Sequence, residues 1–211
     1  MKGIRLRQQI CKWGASLFNR GLSPGNSGNI SVRVEDGWFI TPTNSCLGFL
    51  EPGRLSKLDW EGNLISGDPP SKEYPLHLTI YQERPTAGAV VHLHSTYAVA
   101  VSCLVHADLN DVLPPITAYY VMRIGRLPLV PYSRPGDQSL AEAVRVLVHE
   151  HHAVLLANHG PVVAGASIEA AVYAAEEVEE AAKLFLLLRG EPTRFLTDAQ
   201  VVELGAAFPR G

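Results

Sequence analysis

Cysteine is scarce in this chain: there are three, Cys11, Cys46 and Cys103, scattered and without any CxxC spacing. An odd number of separated thiols excludes a disulfide framework and fits reduced thiols in a cytoplasmic protein. No basic excess exists either, since 18 Lys and Arg face 21 Asp and Glu for a net charge of −3. With no basic run, a nucleic-acid partner is excluded. The N-terminus, Met1-Lys2-Gly3-Ile4-Arg5, carries no apolar stretch of signal-peptide length. The apolar run Leu184–Leu188 follows a glutamate-rich stretch and is far short of the ~20 residues a bilayer span needs. It reads as a buried helix end, and no membrane partner is expected. Repeats, low-complexity segments and linkers are also missing. With 211 residues and 46% hydrophobic content, the chain is expected to form a single domain over residues 1–211.

What is present alternates between helical and strand patterns. Leu6, Ile10, Trp13 and Leu17 recur at helical spacing up to Gly21. A turn-rich loop, Ser23 to Asn29, enters a strand at Ile30–Val34, and Asp36-Gly37 turns it into Trp38–Thr41. Leu55 to Ser66 reads as a second hairpin turning at Glu61-Gly62-Asn63. A helix is predicted from Glu73 to about Glu83, with Pro75 in its first turn. A strand follows from Gly88 to His94, then a helix from Thr96 to about Val105. Asp111 to Pro135 reads as loop with short strands, and Asp137 as the cap of a helix over Leu140–His149. Ala153–Ala157 is a buried strand delivering Asn158 and His159, and a long helix spans Ile168–Leu188. This pattern predicts an α/β sandwich with a central mixed or antiparallel sheet.

Three of the eight histidines stand apart from the rest. His92 and His94 lie two residues apart on one strand and so share a face, and His159 closes another apolar strand. Imidazoles buried beside Val, Leu and Ala need partners, and a metal held by three protein ligands is such a partner. Buried hydrogen bonding is the competing explanation. His77 and His106 are read as surface or structural groups. His149, His151 and His152, in a polar His-Glu-His-His segment, are read as a solvated connection.

Five segments, taken in order, resemble one family. Gly28-Asn29-Ile30-Ser31-Val32-Arg33, Thr41-Pro42-Thr43, Ser71-Lys72-Glu73, His92-Leu93-His94-Ser95 and Asn158-His159-Gly160 together resemble the class II aldolase/adducin family over nearly the whole chain. The resemblance implies a three-layer α/β sandwich, and a zinc ion (or Co2+ or Mn2+) on His92, His94 and His159. It makes Glu73 the acid/base carboxylate, and puts substrate phosphate on Gly28, Asn29, Thr43, Asn44, Ser71 and Lys72. It also implies a homotetramer with active sites between subunits, where Tyr119 or Tyr120 reaches a neighbour's site. Small residues such as Gly25, Gly28, Asn29, Thr43 and Ser71 leave backbone amides and hydroxyls free to surround phosphate, although any one such loop also serves as an ordinary turn.

Within the family, Glu73 stands where the epimerases carry aspartate. Lys72 replaces a serine of the aldolase pattern, and Val201–Gly211 lacks the aldolases' tail tyrosine. Together with Thr41–Gly48 and Tyr119-Tyr120-Val121-Met122, these features are most similar to the 3-oxo-tetronate 4-phosphate decarboxylase branch. The chemistry expected is decarboxylation to dihydroxyacetone phosphate, with zinc as Lewis acid and Glu73 protonating C2. A fuculose-phosphate-type aldolase is the alternative. A pentulose-phosphate 4-epimerase or an adducin-like binding module ranks lower.

Overall fold

The computed structural model describes residues 2–105 and 108–208, so His106 lies outside the described residues. Eight strands form one sheet: β1 (Asn29–Val34), β2 (Gly37–Ile40), β3 (Ser56–Leu58), β4 (Leu64–Ser66), β5 (Ala89–His92), β6 (Leu129–Val130), β7 (Ala153–Leu156) and β8 (Gly160–Gly165). Their order across the sheet is β4-β3-β2-β1-β5-β8-β7-β6. Every pairing in it is antiparallel except β6 with β7.

Strand alternation splits the apolar side chains between two cores. Ile30 and Val32 of β1, Val91 of β5, Leu155 of β7 and Val163 of β8 point one way. There they meet α1 (Lys2–Asn19), α3 (Thr96–Ser102), α4 (Ala118–Arg123) and α6 (Ile168–Leu187). Ile40, Val90, Val154 and Val162 point the other way, against α2 (Tyr74–Glu83) and α5 (Gln138–Val148). The result is the expected three-layer α/β sandwich. No described helix is long and apolar enough to cross a membrane.

The sequence pattern differs from the structure at four places. The histidine strand ends at His92, and His94 follows in an irregular turn before α3. Beyond His159 the chain returns as β8, making β7 and β8 a tight hairpin. The presumed loop from Asp111 contains α4, whose first turn is capped by Thr117 Oγ1 accepting from the Tyr120 amide at 3.0 Å. A last helix, α7 (Asp198–Ala207), starts from a capping box between Thr197 and Gln200 and packs on α4.

Candidate metal centre

Antiparallel pairing of β1 and β5 sets Asn29 opposite His92, with both side chains on the face that carries α2. Glu73 occupies the position just before α2 and points back to the same spot. The hairpin turn between β7 and β8 brings in His159. That turn is held by α3, whose Ser102 Oγ accepts from the His159 amide at 3.3 Å and whose Ser102 carbonyl accepts from Asn158 at 3.1 Å. Gly160 is required beside it: its φ is +155°, and a Cβ there would sit 2.2 Å from the Leu93 carbonyl oxygen. Gly28 has φ +76°, and a Cβ on it would meet the His92 carbonyl oxygen at 2.8 Å, so the first loop lies directly on the histidine strand.

The imidazoles converge tip to tip. His92 Nε2 is 3.0 Å from His94 Nε2 and 3.3 Å from His159 Nε2. Glu73 completes the group, with Oε2 3.4 Å from His92 Nε2 and Oε1 3.3 Å from His159 Nε2. One ligand atom from each of the four residues lies within 4.8 Å of all the others. Two nitrogens each bonded to one zinc ion at ~2.0–2.1 Å in tetrahedral geometry stand about 3.3 Å apart, which matches this spacing.

The donor chemistry points the same way. His92 Nδ1–H donates to the Pro161 carbonyl at 2.9 Å, which sets the ring's tautomer so that Nε2 is the nitrogen facing its neighbours as a ligand atom. One lone pair cannot serve both neighbouring rings, whereas a central cation satisfies all three. Glu73 Oε1 is buried and makes no hydrogen bond, as suits an oxygen left for a metal or a proton. Burial, followed by the neighbouring rings, lowers His94 to about 3, and burial with His92 lowers His159 to about 4. These rings are therefore neutral and able to ligate near pH 7. Burial pushes Glu73 up, but the His92 and His159 rings and the Asn29 amide outweigh it and hold the carboxyl below its usual value.

The other residues picked out by sequence divide into two groups. Ser71 and Asn29 sit at the centre, with Asn29 Nδ2 donating to Glu73 Oε2 at 2.8 Å and to Ser71 Oγ at 3.2 Å. The Ser71 amide donates to the Thr41 carbonyl at 3.2 Å, which ties the three small-residue loops together. Thr43 and exposed Asn44 line a neighbouring cavity of about 240 Å3 with Ser45 and Arg54. Lys72 is exposed between buried Ser71 and Glu73.

The tyrosines lie elsewhere. Tyr120 is fully buried in its own core, whereas Tyr119 is 60% exposed. Tyr119 borders a cavity of about 460 Å3 beside Thr86, Ala87 and Gly165, at the end of β5 and β8 remote from His92. His149 and Glu150 are exposed, and His151 is half-buried. None of the His149–His152 segment joins the metal-capable group among the described residues.

A family model described as the class II aldolase and adducin N-terminal domain matches residues 8–186. The chain belongs to this family. Among other class II aldolase and adducin proteins, it is 49% identical over 201 residues to a 3-oxo-tetronate 4-phosphate decarboxylase of Pectobacterium atrosepticum, an alignment covering 95% of this chain and 92% of that one. It is 34% identical over 205 residues to the L-fuculose phosphate aldolase of Escherichia coli, covering 95% and 93%. The crystal structure of Escherichia coli YgbL superposes with a TM-score of 0.95 at 45% identity, covering 97% of this chain and 99% of that one.

Sequence reasoning missed the polar side chains behind Glu73. Of the two expected settings for His77, surface or structural, the structure shows the second: it is completely buried, and it contacts Asn29 and Ser31. Two spacings carried the signal: Glu73 and His77 are one helical turn apart, and Asn29 and Ser31 share a strand face.

Proposed function

We propose that this protein is a metal-dependent carbon–carbon lyase that decarboxylates 3-oxo-tetronate 4-phosphate to dihydroxyacetone phosphate and CO2. The observation that carries this reading is the convergence of Glu73 with the Nε2 atoms of His92, His94 and His159. The similarity of 46–49% to several named decarboxylases, against 34–35% to the aldolases, favours decarboxylation over aldol cleavage.

His92, His94 and His159 would hold the cation, and zinc suits a site of three imidazoles with one position left open. When bound, that ion supplies Lewis-acid stabilisation of developing negative charge. The reacting bond is C1–C2 of the substrate. Its electron pair passes into the adjacent C3 ketone as CO2 leaves, and C2 then takes up a proton. Glu73, having first taken up a proton from solvent, delivers it from Oε1, the oxygen free of hydrogen bonds. Asn29, itself anchored on Ser71 Oγ, keeps Oε2 occupied and the carboxyl oriented.

Gly28, Thr43, Asn44 and Ser71 form the phosphate side of the site, and exposed Lys72 supplies a cation for phosphate or carboxylate. We read residues 1–211 as one catalytic domain working in the reducing cytoplasm, which suits three unpaired thiols. We read the assembly as a homotetramer in which Tyr119, on the far side of its own sheet, serves a neighbour's centre. Buried Tyr120 would instead brace that helix.

The deciding experiment supplies zinc-loaded protein with 3-oxo-tetronate 4-phosphate, and separately with dihydroxyacetone phosphate plus an aldehyde. Rapid CO2 release with negligible condensation is expected. Fast condensation without CO2 release would make it an aldolase.

A further inference from the structure

Behind Asn29, which holds the carboxylate at the metal-capable centre, lies a buried row of polar side chains that the reaction outlined above leaves without a role. His77 is fully buried on α2. Its ring lies nearly parallel to Trp38, 8° off, with the ring centres 6.4 Å apart. Its Nε2 is 2.5 Å from Asn29 Oδ1, and its Nδ1 is 2.7 Å from Ser31 Oγ. Ser31 Oγ is in turn 2.8 Å from the Tyr81 hydroxyl. Asn29 faces Glu73 Oε2 with its Nδ2 at 2.8 Å.

Donors and acceptors fix the direction of this row. An ionised Glu73 can only accept, so Asn29 must turn its NH2 group toward it. Asn29 Oδ1 then faces His77, whose Nε2 must carry the hydrogen. Nδ1 is left as a lone pair, and the Ser31 hydroxyl is the donor within reach. The Ser31 oxygen can then accept from Tyr81. Burial, followed by the His92 ring, lowers His77 to about 3, which keeps the ring neutral, as this arrangement requires. With no hydrogen on Nε2, the Asn29 carbonyl oxygen would lose its partner, and only the Nδ2 contacts to Glu73 and Ser71 would keep the amide from turning over. A turned amide would press its carbonyl oxygen against the carboxylate.

We propose that His77 is a positioning residue for the proton-transferring carboxylate. Its Nε2–H, fixed by the Ser31 hydroxyl on the opposite ring nitrogen, holds the Asn29 amide with NH2 toward Glu73, so that Oε2 stays beside His92 and Oε1 beside His159. This rests on Glu73 being the group that protonates C2. Neither His77 nor Ser31 touches substrate or metal in this scheme. Losing them therefore lowers kcat and leaves KM and bound zinc where they were.

The test uses the zinc-loaded full-length protein and its His77→Leu, His77→Gln, Ser31→Ala and Glu73→Gln variants. For each, kcat and KM for CO2 release are measured with zinc content and Tm. Glu73→Gln should cost ~100-fold or more in kcat, as loss of a general acid does. His77→Leu should lower kcat by ~10- to 100-fold through misplacement of that acid, with KM and zinc content unchanged. His77→Gln, whose amide N–H can stand at the Nε2 position, should regain most of the loss. Ser31→Ala should fall between wild type and His77→Leu, and it decides the matter if His77→Leu fails to fold.

Wild-type kcat in both His77→Leu and Ser31→Ala, with Glu73→Gln inactive, would overturn the positioning role while leaving Glu73 in place. Equal loss in His77→Leu and His77→Gln would also overturn it, because packing rather than the donor would then matter. Full activity of Glu73→Gln would instead remove the premise that Glu73 carries the proton.

Discussion

A histidine sealed in a core cannot take up a proton at the pH where a free one does. His77 is fully buried and lowered to about 3 by burial first and the nearby His92 ring second. Between that value and the ordinary value of 6.5, the unfolded chain binds a proton that the folded chain refuses. Stability from this ring is therefore complete above pH 6.5 and is lost as pH falls. The slope is ~1.4 kcal/mol per pH unit for one such group. Chemical denaturation between pH 7 and pH 5 should show this dependence, and His77→Gln should flatten it by about one ring's share. Parallel curves for the two proteins would mean that His77 titrates normally.

The same residue shows why some groups were legible in the sequence and others were not. His92, His94 and His159 sit among Val, Leu and Ala, where a polar ring has few explanations. His77 sits among Leu76, Leu78 and Ile80 on a helix, where an isolated ring suggests nothing by itself. Its meaning comes from Asn29 and Ser31, over forty residues away in sequence. Asn29, expected on phosphate, also has its side chain engaged by Glu73, Ser71 and His77, which its place in a small-residue loop does not reveal.

At the level of elements, short pieces of structure aim the residues of the metal-capable group. The turn carrying His94 runs into α3, and the two amides at that helix start, Tyr97 and Ala98, donate to the Glu179 carboxylate at 2.9 and 2.8 Å. A carboxylate suits that end of a helix, where unpaired N–H groups gather. Glu179→Ala would leave one buried and one part-buried amide without acceptors at a cost of ~2 kcal/mol, which lowers Tm by roughly 4–8 °C in a chain of this size. It should also weaken zinc retention through the His94 turn. An unchanged Tm would show that water replaces the carboxylate.

β8 escaped the sequence reading because Pro161 and two flanking glycines, Gly160 and Gly165, resemble loop chemistry. The turn before it needs Gly160 for steric reasons visible only in three dimensions. α4 was hidden by the prolines around it, while Thr117 supplied a cap that was in plain view.

For the whole molecule, the sandwich was legible because strand and helix periods alternate clearly along the chain. The placement of Tyr119 was not, since nothing local says which end of the sheet it occupies. If Tyr119 serves a neighbour's centre, subunits damaged at different places should repair one another. Co-expressed Tyr119→Phe and His92→Ala chains would then show more activity than either variant alone. Activity no higher than the sum of the separate variants would place Tyr119 outside the reaction.

The metal itself admits a direct test. Protein stripped by a chelator should lose CO2 release from 3-oxo-tetronate 4-phosphate, and should regain it in proportion to added zinc up to one ion per chain. Full turnover by protein shown to contain no bound metal would contradict the assignment of His92, His94 and His159.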